Sequence, residues 1–417
     1  MPSPAPYLDA AFEEFVGQFA KVLSKPQLVH FRVYLLGLVL YVGIHWLSRL
    51  HECVGHSRDY TCFTRFVSEA PWSRPELERE WRGYLNRHAR RVRDSLHRRA
   101  KGQPVPVYLL IDDTLNPKRG QGMAWVGRHY SHSEQQVIWG HCLVSALLII
   151  GDLVLPWDLA LYKKKSDCQA AGVPFYSKLD LTSEMIRHYQ PWPDTKVYVM
   201  MDRWYTSNNL LKTIAKERGF EILCALKSNR NLYYGHNQAQ AKVYAAALSQ
   251  TQFDAETIAQ RTYRLHQLEA SLSNGVKGRL VVSRSWYGQT ETTFFLFCTD
   301  LALTARQIVE TYRRRWEIET FYRNAKQLLG LSDYQLRHEE AILRHYLFVF
   351  MIYSFLEVQR FNRYQEWLAL DPLAEKPTLG EIKHEYGKLA RRLLVKSIFS
   401  LCQQGLDLPA IYKIFAV

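Results

Sequence analysis

The sequence predicts an α/β protein: a mixed sheet with helices packed on it, carrying a β-strand insertion and flanked by helical N- and C-terminal regions. Three observations predict it. Residues 1–101 read as helices alone. Beyond the proline-marked "GQPVPVYLL", short apolar runs between turn residues alternate with amphipathic segments, in the order three strands, helix, strand, helix, strand. From Ser228 to Thr299 that alternation stops, and a long helix follows it.

Taken in order, the N-terminal "MPSPAPYLDAAFEEF" has neither the basic leader nor the apolar stretch of a signal peptide. "VYLLGLVLYVGI", from Val33 to Ile44, and the shorter "YLFVFMIYSFL" from Tyr346 fall short of the roughly 18 residues that span a bilayer, so both are expected as core helices. In "HECVGH", His51, Cys53 and His56, with Cys62 beyond, match no standard zinc spacing, and packing is the reading. Seven cysteines without a CxxC pair suit a reducing, cytoplasmic compartment.

Lys plus Arg number 54 against 40 Asp plus Glu, a formal charge of +14, so a polyanion, nucleic acid before membrane, is the first partner to consider. Part of that excess crowds into "RHARRVRDSLHRRAK", where Arg87, Arg90, Arg91, Arg93, Arg98, Arg99 and Lys101 offer phosphate contacts.

"VPVYLLIDD" reads as a short buried strand, and "QVIWGHCLVSALLII" and "LVLPWDLALY" as strands joined by a hairpin at "GD". "KLDLTSEMIRHYQ" is a helix, "TKVYVMMD" a strand, "TSNNLLKTIAKERG" a helix and "FEILCALK" a strand. Residues 230–275 resist assignment, while "GRLVVSRSWYG" and "TTFFLFCTD" resemble strands of a separate β element. Thr304 with Gln307 forms a capping box and Gly330 a C-terminal stop, giving one helix over about 305–329. After residue 335 the chain is helical again, with Lys383, Lys388, Arg391, Arg392 and Lys396.

Along the 305–329 helix, Tyr312, Arg315, Glu319 and Lys326 share a sector roughly 60° wide. Asp113 closes the first strand and Asp202 the fourth, so strand-end carboxylates can converge if those strands are neighbours. A carboxylate cluster calls for cations, and hard oxygen ligands suit Mg²⁺ or Mn²⁺. A solvated face and ordinary strand caps are the alternatives.

These residues resemble a known family, the cut-and-paste DDE transposases of bacterial insertion sequences. "YRRRWEIETFYRNAK" matches the family spacing Y-x2-R-x3-E-x6-K at Tyr312, Arg315, Glu319 and Lys326, and "IDDT" and "MMDRWY" match its strands ending in Asp-Thr and Asp-Arg. Asp112 adjoins Asp113, which is taken as the ligand because it directly precedes Thr114. The resemblance covers about residues 105–330. It implies an RNase H-like core, with a catalytic and metal-binding triad Asp113, Asp202 and Glu319 holding two Mg²⁺ or Mn²⁺ ions per site.

It also implies that Tyr312, Arg315 and Lys326 grip phosphates, a rail of about 21 Å at 1.5 Å per residue. Double-stranded DNA, as terminal inverted repeats and target, would be the partner, bridged by a homodimer. Lys118, Arg119 and Lys164 (beside Lys163 and Lys165), near strand ends, and Arg203 are expected to line the DNA channel, with solvated side chains as the alternative, and Trp286 or Tyr287 would stack on a flipped base, with core packing as the alternative. The corresponding domains are a helical DNA-binding region (1–101), the first part of the core (102–227), the insertion (228–300), the final core helix (301–335) and a C-terminal helical region (336–417).

Overall fold

The computed structural model describes residues 8–54, 59–131, 134–287 and 290–415. The chain forms two compact units. One comprises Met1–Ala89, Leu115–His141 and Phe321–Val417, the other Arg90–Thr114 and Cys142–Thr320.

The first unit is mainly helical. Its axis is the helix Glu339–Leu370, whose residues from Tyr346 to Val358 are all buried. This helix is longer than the sequence suggested, and by length and composition it would pass for a membrane span. Its apolar stretch is instead almost wholly buried inside the protein, which makes it a core helix. Phe348 is ringed by Tyr34, Phe31, Phe66 and Trp72 at 4.9–6.0 Å between centroids. Aromatic side chains bury large apolar areas, so this cluster carries much of the unit's cohesion. Buried Arg344 lies over the Trp72 ring at 3.9 Å and donates to the carbonyls of Val67, Ala70 and Trp72, satisfying the end of the helix Tyr60–Ser68. His51 packs against Tyr60 and Phe63, in keeping with the packing role read for it; His56 lies outside the described residues.

The second unit is built on a mixed sheet. Its strands are β1 (Val105–Pro117), β3 (Gln136–Ile150), β4 (Leu153–Tyr162), β5 (Thr195–Met201), β6 (Glu221–Ala225) and, in the insertion, β7 (Asn231–Tyr234), β8 (Asn237–Gln240), β9 (Asp254–Ile258), β10 (Arg261–Leu272), β11 (Lys277–Tyr287) and β12 (Thr290–Cys298). The order β3-β1-β5-β6-β12-β11-β10-β7-β8 has β4 on β3 and β9 on β10. β1, β5 and β6 are parallel, which requires the crossover helices Lys178–His188 and Asn208–Lys212. The hairpin at "GD" is present: Ile150 pairs with Leu153, and Gly151 adopts φ +55°, a conformation glycine takes without penalty. The short strand β2 (Gly127–Ser131) pairs with Gln136–Gly140 at the start of β3, all of them residues of the first unit, and had no clear signal in the sequence.

Three expectations are corrected. β1 does not end at Asp113 but continues to Pro117. The insertion is not a separate β element, because β12 pairs with β6 (Leu296 with Ala225), and residues 230–275 contain four strands and the helix Ala241–Ala246. The single helix over 305–329 is two, Ala305–Arg313 and Trp316–Leu329, broken at Arg314–Arg315. There the backbone tightens to i−3 bonds, Arg315 N to Tyr312 O at 2.9 Å and Glu317 N to Arg314 O at 3.0 Å. The capping box at Thr304 is formed.

Candidate active site

The parallel pairing of β1 with β5 sets the site. Register partners run from Val105–Thr195 to Ile111–Met201, so the next residues along the two segments are Asp112 and Asp202. Side chains alternate along a strand while register partners share a face, which separates Asp112 from Asp113. Asp112 Oδ2 accepts from Arg315 Nη1 at 3.2 Å, and the same guanidinium donates through Nη2 to Glu319 Oε1 at 2.6 Å. Arg315 thus links the β1 carboxylate to the helical one. Burial, reinforced by the charge of Asp113 and to a lesser degree Asp202, pushes the Asp112 carboxyl up to about 7, although Arg315 and the Asp113 N–H pull it down.

Asp113 meets different company. Its Oδ2 accepts from Lys178 Nζ at 2.6 Å and from the Cys142 thiol at 3.3 Å, and its Oδ1 from the Tyr205 hydroxyl at 2.7 Å. Lys178 lies between the rings of Tyr162 and Trp204, at 5.7 and 5.4 Å. Asp202 follows β5 and accepts from the Trp204 N–H at 2.7 Å, closing a tight turn that ends at buried Tyr205. The carboxylate chosen from the sequence therefore braces this turn, and its neighbour shares Arg315 with Glu319. Lys178, Tyr205 and Cys142 gave no signal in the sequence, because only the fold brings three distant segments to Asp113.

The helix break also has anchors. Arg314 lies over the Tyr108 ring at 5.0 Å and donates to the Gly151 carbonyl, while Arg315, 6.0 Å from the Tyr312 ring, points to the carboxylates. The Tyr312 hydroxyl donates to the Met201 carbonyl at 3.4 Å, at the root of Asp202, and burial raises its pKa. Lys326, in the first unit, donates to the Leu115 carbonyl at 2.7 Å. Within each unit, then, the polar groups of the stripe hold backbone carbonyls and carboxylates at strand ends.

The other predicted contacts divide. Arg90, Arg91, Arg119 and Arg203 are exposed and Lys164 half-buried. Arg93 is buried and paired with Asp94. Lys118 is occupied, donating to the carbonyls of Ser332 and Tyr334 at 2.6 and 3.0 Å. The side chains of Trp286 and Tyr287 lie outside the described residues.

Among the described residues no three His, Cys, Asp or Glu side chains converge closely enough to form one coordination sphere. A guanidinium held between two carboxylates nevertheless marks a place where a positive charge is needed, and all-oxygen donors are those of a hard divalent cation.

The chain is similar to a protein family and to a transposase relative. The family model described as DDE superfamily endonuclease matches residues 18–253, more than half of the chain, including Asp112, Asp113 and Asp202 but not Glu319. The probable transposase for insertion sequence element IS701 of Microchaete diplosiphon is 23% identical over 261 residues, 58% of this chain and 64% of that protein, so the chain spans less than two thirds of this relative's length.

Proposed function

As the chain belongs to the DDE superfamily of endonucleases, we propose that it is a DNA transposase, cutting phosphodiester bonds at the terminal inverted repeats of an insertion sequence and joining the freed 3′ ends to target DNA. The observation that carries this reading is the adjacency of Asp112 on β1 and Asp202 just past the end of the parallel strand β5, with Glu319 tied to Asp112 through Arg315. The parallel strands and crossover helices support an RNase H-like core for it.

Asp112, Asp202 and Glu319 would hold the divalent ions, two Mg²⁺ or Mn²⁺; Asp112 takes the ligand role the sequence had given to Asp113. Bound there, the ions supply activation of the attacking hydroxyl and stabilisation of the leaving oxygen. The chain's own residues do the rest. Asp113, through Tyr205, keeps the Asp202 turn in place, and Arg315 balances carboxylate charge and is poised to meet a phosphate oxygen. Exposed Arg90, Arg91 and Arg203 and half-buried Lys164 contact DNA phosphates, a homodimer on DNA bridges the two ends, and the protein works in the bacterial cytoplasm on the nucleoid.

The test is incubation of the protein and Mg²⁺ with a plasmid carrying both ends of the element. Excised linear element and strand-transfer product support the reading. Nicking at the ends without joining would make it a metal-dependent nuclease, and no cutting at all would refute catalysis.

A further inference from the structure

The first unit contains a cavity of about 760 Å³ that no step above uses, lined by Ile44, Trp46, Lys118, Arg119, Met123 and Arg337 among others. Trp46 also lines a neighbouring cavity of about 370 Å³. Ile44 and Trp46 are 55% and 41% exposed, large apolar side chains left in water.

Their presentation is built. Between them His45 is buried, its N–H donating to Asp333 Oδ2 at 2.9 Å and its ring 3.3 Å from the same oxygen. Gly330, at φ +65°, leaves room for that imidazole where a Cβ would come within 2.4 Å of His45 Cβ. The opposite wall is fixed to the same segment by Lys118, which binds the Ser332 and Tyr334 carbonyls and lies 3.2 Å from the Tyr334 ring centre. Both walls are thus pinned to residues 330–334, so the backbone that carries Ile44 and Trp46 is held in place before anything binds. At the rim, Arg119 and Arg337 are exposed and make no ion pair among the described residues, while Asp333, the acid in the lining, is taken by His45.

Resting on the assignment of DNA as substrate, we infer that this cleft binds an unpaired nucleotide of a DNA strand, its base on Trp46 and its phosphates on Arg119 and Arg337. An exposed aromatic ring beside unpaired cations is the chemistry that holds single strands without sequence preference. The cavity falls within the ~300–1,000 Å³ of small-molecule sites, whereas a duplex, convex and wider, cannot enter it.

The experiment is fluorescence anisotropy with the full-length protein in EDTA, so that nothing is cut. The probes are a blunt duplex and the same duplex with a short single-stranded overhang. The wild type is expected to bind the overhang about tenfold tighter, the order of one base–aromatic stack. Trp46→Ala should bring that ratio close to one, and Trp46→Phe, which keeps a ring and secures the test should the alanine variant misfold, should retain part of it. Arg119→Ser with Arg337→Ser should lower the salt slope on the overhang by about 1.4, roughly 0.7 for each phosphate. Equal binding of both probes by the wild type, or a preference that survives Trp46→Ala, overturns this site alone. Failure to bind either probe overturns the transposase reading and this site with it. A polyglutamate peptide bound with the same Trp46 dependence would hand the cleft to an acidic protein partner and also overturn the inference.

Discussion

Replacing Arg315 by glutamine removes the guanidinium between Asp112 and Glu319 and leaves two carboxylates facing each other across its place. Breaking a fully buried ion pair costs about 3–5 kcal/mol, an exposed one about 0–1 kcal/mol. The side chains here are 17% (Arg315), 21% (Asp112) and 34% (Glu319) exposed, with contacts of 3.2 and 2.6 Å. That intermediate position gives a loss of about 2 kcal/mol, or about 4–8 °C in melting temperature for a unit of this size. The loss should be greatest without metal. A divalent ion bound to the carboxylates replaces the missing positive charge, so Mg²⁺ should raise the melting temperature of Arg315→Gln by more than it raises that of the wild type. Differential scanning fluorimetry in EDTA and in a Mg²⁺ series measures both. Equal melting temperatures in EDTA, or equal increments with Mg²⁺, would show that Arg315 does not act as counter-charge to this cluster.

Asp112→Asn, Asp202→Asn and Glu319→Gln should each abolish cleavage while DNA binding persists, whereas Asp113→Asn should slow cleavage without abolishing it; gel shifts and plasmid cleavage on the same preparations separate these, and unimpaired cutting by Asp112→Asn refutes its assignment. Acid should destabilise the first unit through two buried histidines. His141 accepts from the Tyr334 hydroxyl and His345 from that of Tyr34, each donating its other N–H to a carbonyl, and burial holds them down to about 4 and about 3. Both folded values lie below the unfolded one of about 6.5, so this stabilisation is complete above that pH and drains as pH falls toward the folded values, by about 2 kcal/mol per histidine at pH 5. Urea midpoints across this range should flatten in the variant His141→Gln with His345→Gln, and an unchanged slope would contradict the assignment. Gly330→Ala should cost at least about 2 kcal/mol, from its positive φ and the collision with His45, read as a fall in urea midpoint; a neutral substitution would mean that the His45 loop can move aside.

What the sequence made legible was local. The "GD" hairpin, the Thr304 capping box and the apolar runs of β1, β5 and β6 depend on neighbours a few residues away, and all are present. The choice between Asp112 and Asp113 depends on which face of β1 meets the Arg315 helix, a property of inter-strand register that a dipeptide does not encode. The break at Arg314–Arg315 was likewise hidden. No proline or glycine marks it, and its anchors, Gly151 and Tyr108 for one arginine and Asp112 for the other, are distant in the chain. The insertion reads as separate in the sequence because the alternation along β12 shows that it is a strand but not that its partner is β6.

That last pairing bears on how such a chain can change its length. Ala225 and Leu296 are register partners, so the whole excursion between them leaves and re-enters the sheet at points one strand spacing apart, about 4.8 Å. The entropy of closing a loop grows only with the logarithm of its length, about 0.6 kcal/mol for each doubling. Residues can therefore be added to or trimmed from the far end, around β7 and β8, with little effect on where β12 delivers the chain to the helix Ala305–Arg313 and thence to Glu319. The position of Glu319 is insulated from the evolution of the segment that precedes it, and homologous chains should differ in length there more readily than between Asp112 and Asp202.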